Sequence, residues 1–278
     1  MSPKAPVLDV ELLGTLIRTI AHDPELARHL RHLLEDVRVA TNEAPGETFE
    51  ITGGRAQGDW VLSHNERGIL QAPSRASLVE GFFSALNELV LDEFSGVAIH
   101  AGVVARGTRA IAIPGRSGAG KSTLAAACVA AGFAYVSDEA LCLDRDTADV
   151  IPYPRPLMLS VASARVLGIG EHSSNPHPGK FALTPADLGG RTNSLPLHLG
   201  DVVLATRGKA LSLEPEPPAE LIPELLERCF AGRDSRAASF ELIARAAEGS
   251  RGWRLDYIDA IDAAALLRRT LPLSPPAS

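Results

Sequence analysis

The stretch Gly115-Arg116-Ser117-Gly118-Ala119-Gly120-Lys121-Ser122 constrains this chain more than any other. It satisfies G-x-x-x-x-G-K-[ST], the Walker A form of a phosphate-binding loop. Its glycines let the backbone curl so that successive N–H groups face a β-phosphate. Lys121 in that frame neutralises the β- and γ-phosphates, and the Ser122 hydroxyl ligates Mg²⁺. Such a loop works between a strand and a helix whose positive end meets the anion. Both flanks are present. RAIAIP, residues 109–114, reads as an apolar strand, and STLAAACVAA, residues 122–131, reads as a helix stopped by Gly132. Gly115 to Ser122 together with Thr123 form the expected binding set for ATP or GTP with Mg²⁺.

The surrounding pattern is α/β. Residues 8–38 carry apolar positions at helical spacing and read as two helices joined at Asp23-Pro24. Short strands are expected at 47–52, 59–63 and 68–72, followed by an amphipathic helix over 74–91. GVAIHAGVVARGTRAIAIP, residues 96–114, reads as a β-hairpin turning at Arg106-Gly107-Thr108 and running into the loop. Phosphate-loop strands ordinarily sit among parallel neighbours, so a hairpin in this place is distinctive. After the loop helix come a strand over 133–137 and a hairpin of 140–143 with 150–153. The PYPRP segment breaks the pattern. Residues 168–185 read as a polar loop able to close over a substrate. Strands over 201–206, 210–214 and 253–257 alternate with helices over 219–230, 236–248 and 259–268.

Composition narrows the function. A net charge of −7 and the lack of a basic cluster argue against nucleic acid as partner. The cysteines, Cys128, Cys142 and Cys229, stand in apolar surroundings without C-x-x-C spacing, which suits a reducing compartment. MSPKAPVLDVELLG has no secretory apolar core, and no apolar run is long enough to span a bilayer. A cytoplasmic protein without membrane association is expected; a homo-oligomer stays open.

Asp138 and Glu139 follow the strand after the loop helix. In α/β sheets the carboxyl ends of neighbouring strands open onto one crevice. Asp138 is therefore expected near a γ-phosphate, as base toward a hydroxyl or, with Ser122 and Glu139, as Mg²⁺ ligand. Glu139 is the first alternative as base. His100 lies in the hairpin strand beside the loop, where it reads either as a core histidine or as a partner for phosphate or carboxylate. Arg155 reads either as a cation that stabilises transferred charge or as half of a surface ion pair, and Lys180 either as a loop lysine that swings onto a phosphate or as a solvated one. His172 and His177 lack a third ligand at metal-binding spacing.

The order His100-Ala101-Gly102-Val103-Val104, GRSGAGKS, helix, then Gly132 with Asp138-Glu139 resembles the catalytic core of HPr kinase/phosphorylase. The resemblance extends to HPr-kinase-like proteins, which include lasso-peptide serine kinases, and covers residues 96–160 clearly. It implies a P-loop core over 93–270 of the kind shared with phosphoenolpyruvate carboxykinase; residues 1–92 read from their own pattern as an N-terminal α+β region that does not resemble the family's regulatory domain, and LPLSPPAS, residues 271–278, reads as a disordered tail. The resemblance implies Lys121, Asp138 and His100 as catalytic residues and Ser122 as the Mg²⁺ ligand. The chain departs from the bifunctional enzymes at Glu139, where they carry Asp, and at Arg165-Val166-Leu167-Gly168-Ile169, where they carry Arg-Gly-Leu-Gly-Ile. The implied activity is transfer of the γ-phosphoryl group of ATP to a serine of a peptide or protein. A small-metabolite alcohol kinase and a non-catalytic nucleotide-binding regulator are the alternatives.

Overall fold

The structure, a computed structural model, describes residues 5–53, 60–116, 118, 120–169, 180–208, 210–230 and 236–271. It is a mixed α/β architecture. Among the described residues the strands form a five-stranded sheet, a nine-stranded sheet and a two-stranded ribbon.

The chain opens with an antiparallel hairpin of β1 (Val7–Leu12) and β2 (Thr15–Ala21). This replaces the helix expected over residues 8–21. Leu8, Val10 and Leu12 are buried in alternation, a period of two that also meets several helical spacings. The turn decides between them. Leu13 and Gly14 both take positive φ, 50° and 84°, the conformation of a two-residue hairpin that matches strand twist. Asp23 does cap a helix, α1 (Pro24–Leu33), accepting from the Leu26 amide at 2.7 Å. Next come β3 (Glu47–Thr52), parallel to β2, then antiparallel β4 (Trp60–His64) and β5 (Arg67–Ala72). Ser74 caps the long helix α2 (Arg75–Glu93). Its buried Phe82, Phe83, Leu86 and Val90 close this core. The same core continues into Ala98, Ala140, Cys142, Tyr153 and Met158, beyond residue 92.

The larger sheet begins with the expected hairpin, β6 (Val97–Arg106) and β7 (Arg109–Pro114). Then follow α3 (Lys121–Ala130), β8 (Ala134–Ser137), β9 (Ala140–Leu143), β10 (Val150–Ile151), β11 (Leu157–Ser160) and α4 (Val161–Val166). Residues 180–183, expected as loop, form β12 (Lys180–Leu183), antiparallel to β11. Residues 170–179 of that expected loop, and the expected tail at 272–278, lie outside the described residues. The chain closes through β13 (Arg191–Thr192), β14 (His198–Arg207), β15 (Ser212–Glu216), α5 (Pro218–Leu226), α6 (Arg236–Glu248), β16 (Arg251–Tyr257) and α7 (Ala260–Thr270).

Sheet order is β10-β9-β6-β7-β14-β16-β15, with β8 also on β6 and β13 on β8. Strands β7, β14 and β16 are mutually parallel, while β6 is antiparallel to β7, β8 and β9. On β7, Ala110 and Ala112 face a core built with α5 and α6. Ile111 and Ile113 face a second core with α3 and α7. A sheet covered on both faces explains why β7 reads as a continuous apolar run. Among the described residues no helix is long and apolar enough to cross a membrane.

Candidate phosphate-loop site

The chain leaves β7 at Pro114, turns through the glycine loop and enters α3 at Lys121. Gly118 and Gly120 take φ of 82° and 89°, a region that side chains disfavour. Gly120 is the N-cap of α3, so the first amides of the helix face the loop. Ser117 and Ala119 lie outside the described residues.

The acid pair is positioned by a change of partner along β6. Its first half pairs with β9, His100 opposite Ala140, and its second half with β8, Val103 opposite Ser137. Asp138 and Glu139 occupy the break between those two pairings. Strand β8 runs antiparallel to β6 and hence parallel to β7, so the pair emerges at the loop's edge of the sheet. The Ala101 amide donates to the Glu139 carbonyl at 3.1 Å, and the Gly115 amide to the His100 carbonyl at 3.4 Å. One strand thereby ties acids and loop together.

Every described residue of the expected set lines one cavity of about 890 Å³: His100, Gly115, Arg116, Gly118, Gly120, Lys121, Ser122, Thr123, Asp138 and Glu139. Lys121 is 7 % exposed. Its Nζ donates to the Arg116 carbonyl and to His100 Nε2, each at 2.9 Å. His100 Nδ1 donates to the Glu139 carbonyl at 3.0 Å, which leaves Nε2 as the acceptor for the lysine. Burial, then the Lys121 charge, lowers the His100 pKa and keeps the ring neutral near pH 7. Burial also lowers the Lys121 pKa. The charges of Glu139 and Asp138 offset part of that burial, but the amine's direct contacts are a neutral carbonyl and a neutral imidazole, and a phosphate would give it a contacting anion.

The two acids differ in accessibility. The Asp138 side chain is 1 % exposed, and both its oxygens are engaged. Oδ2 accepts from the Met158 amide at 3.0 Å, and Oδ1 accepts from the Tyr135 hydroxyl at 3.2 Å, with Arg155 at 3.4 Å. The Tyr135 proton is shared with the Arg155 carbonyl at 2.8 Å. Burial and the Asp138 charge push the Tyr135 pKa well up, so it stays a donor. Glu139 is 22 % exposed at its side chain, with Oε2 2.5 Å from Arg155 and Oε1 3.5 Å from His100 Nδ1. Arg155 is 6 % exposed. Burial opposes its charge, but Asp138 and Glu139 outweigh that and raise its pKa. Its Nε has no hydrogen-bond partner among the described residues.

Tyr135 gave no signal in the sequence, because its hydroxyl rides on a ring that packs as an ordinary strand apolar. Thr123 turns to Ser163 of α4, its hydroxyl donating at 2.8 Å. Arg116 pairs across the loop with Glu227. The segment after α5 docks on β6, with the His100 amide donating to the Arg228 carbonyl at 2.8 Å and Phe230 edge-on to the His100 ring. The cysteines are free thiols whose pKa burial raises, Cys128 to about 12, which removes them as nucleophiles near neutral pH.

Removing one member of the buried ion cluster should be costly. Arg155→Ala is expected to destabilise the fold by about 3–5 kcal/mol, because Asp138 would keep a buried charge without its cation. Denaturant titration measures this. Arg155→Met combined with Asp138→Asn should recover part of the loss.

The donor set fits a triphosphate: loop amides, Lys121 and the Ser122 hydroxyl at the start of a ten-residue helix, with the Thr123 hydroxyl engaged by Ser163. Among the described residues no group of three or more His, Cys, Asp or Glu could hold a metal unaided. A Mg²⁺ here would take most of its ligands from phosphate and water. A scan against protein-family models finds no match for this chain, and a search of curated proteins finds no relative.

Proposed function

We propose that residues 93–270 form a P-loop kinase core of the HPr-kinase-like kind, which transfers the γ-phosphoryl group of ATP to an alcohol, foremost a serine of a peptide or protein. The observation that carries this reading is the meeting of Lys121, on the glycine loop, with His100, Glu139, Arg155 and Asp138 in one cavity. Phosphoryl transfer needs phosphates held, charge neutralised and a base at the acceptor. Lys121 and the loop amides hold the β- and γ-phosphates. Arg155, which lines the cavity and is held by Asp138 and Glu139, would meet charge on the transferred group. The acid pair takes the acceptor's proton. Of the two, Glu139 opens into the cavity, and Asp138 orients Arg155 and the β11 backbone.

Ser122 would hold Mg²⁺ together with the phosphates, with Glu139 the more accessible of the two acids beside it, and the ion would spread the charge of the leaving diphosphate. His100 fixes the resting place of the Lys121 amine through their 2.9 Å contact. On the acid flank the cavity is walled by Glu80, Phe83, Ser84 and Asn87 of α2. The N-terminal region thus contributes the surface an acceptor meets.

The test is incubation with γ-labelled ATP and Mg²⁺ against serine-containing peptides and proteins encoded beside this gene, with a metabolite panel in parallel. Label on a serine, absent with Lys121→Ala, supports the reading. Label on a metabolite alone replaces the acceptor class, and bound ATP without transfer to anything favours a regulator.

A further inference from the structure

The cavity does not end at the phosphate loop. It continues along the ends of β14 and β16, past Leu204 to Arg207 and on to Tyr257 and Ile258. Both strands run parallel to β7, so their carboxyl ends open at the same edge as the loop. In the order β6-β7-β14-β16 they lie on the side of β7 opposite β6 and the acid pair. Strand β16 stands two strand spacings, about 10 Å, from β7.

The side chains of this flank differ in kind from those around Lys121. Tyr257 is 3 % exposed. Its hydroxyl stands against the loop: a Cβ on Gly120 would come 3.0 Å from it. Ile258, the next residue, lines the cavity and is 56 % exposed, and Ile261, in the first turn of α7, is 51 % exposed nearby in sequence. Arg254 is occupied by Glu216, its Nε donating at 2.7 Å. Arg207 lies close enough to Tyr257 for its charge to act on the hydroxyl. The cavity thus passes from fixed cations to an aromatic hydroxyl and then to uncovered aliphatic surface.

We propose that this flank receives the nucleoside of a nucleoside triphosphate, with the face of the base packed on Ile258 and the ribose and α-phosphate lying past Tyr257 and Arg207. The proposal rests on the phosphate-loop reading of residues 115–122. Direction follows from the sheet. Glu139, Asp138 and Arg155 stand on the β8 side, so a γ-phosphate presented to them leaves the rest of the nucleotide to extend toward β14 and β16. Chemistry follows from the side chains. A large exposed aliphatic group at the rim of an otherwise polar cavity gains by covering a flat apolar ring.

The experiment is calorimetry on the full chain with Mg²⁺, using ATP and inorganic tripolyphosphate as ligands. The wild type should bind ATP at least about tenfold more tightly than tripolyphosphate, the scale of about 50 Å² of apolar contact. Ile258→Asp should remove about that tenfold for ATP and leave tripolyphosphate unchanged. Ile258→Ser should shift ATP in the same direction by less. Ile258 is exposed, so neither change threatens the core, and thermal melting of each variant verifies it. ATP affinity unaltered in Ile258→Asp, or both ligands weakened equally, overturns the nucleoside site while leaving the loop reading intact. If the wild type binds neither ligand, the loop reading fails and this inference falls with it.

Discussion

Lys121→Ala is expected to weaken binding of ATP about 10–100-fold, the range for one hydrogen-bonded charge, and to lower phosphoryl transfer by about a thousandfold or more. The larger kinetic effect has a physical origin. In the proposed reaction the lysine would meet negative charge in the bound nucleotide and more of it, better aligned, as the γ-phosphoryl group departs. Its burial strengthens both contacts, because the ammonium is already largely out of water at 7 % exposure. Calorimetry gives the first number and single-turnover transfer the second. Wild-type values for both would remove the phosphate loop from the mechanism. The variant should fold, since the amine contacts only a carbonyl and an imidazole.

Glu139→Gln is expected to lower transfer at least about a hundredfold, the usual scale for a lost base, with little loss of stability. Asp138→Asn is expected to show the opposite balance. Its carboxylate sits within reach of the Tyr135 hydroxyl, the Met158 amide and Arg155. The amide that replaces it must turn a donor toward at least one donor. Denaturant midpoints and single-turnover rates on the two isosteric variants separate the roles. If Asp138→Asn is as stable as the wild type but inactive, while Glu139→Gln transfers normally, Asp138 is the base, as the resemblance implies.

Much of this site was legible in the residues themselves. The loop announces itself by four fixed positions, and its flanks RAIAIP and STLAAACVAA are apolar runs whose lengths and bounding Gly115 and Gly132 mark a strand and a helix. The hairpin ahead of it was readable from two apolar runs about Arg106-Gly107-Thr108, with Gly107 at φ 63°. Residues 8–21 were not, because VLDVELLGTLIRTIA satisfies both periods and only the positive φ at Leu13 and Gly14 separates them. Strand β12 was hidden because its partner β11 lies some twenty residues earlier, and pairing across that distance leaves no local mark. The unequal surroundings of Asp138 and Glu139 were equally hidden. Adjacent acids look alike in sequence, and what separates them is a tyrosine inside an apolar strand and a backbone amide at Met158.

Helix α2 belongs by chain order to the first region, yet its apolar face is finished by Ala98, Ala140, Cys142, Tyr153 and Met158, and its polar face walls the cavity. The Tyr153 hydroxyl donates to Asn87 across the same junction at 3.0 Å. A fragment beginning at residue 93 would therefore present a wet, unfinished core and half a substrate cleft. The helix that finishes the core with Phe82, Phe83 and Leu86 also lends Glu80 and Ser84 to the cavity wall. Under the proposed function, acceptor choice would answer to substitutions at Glu80 and Ser84 and could not be moved to another protein without the helix and the core it closes.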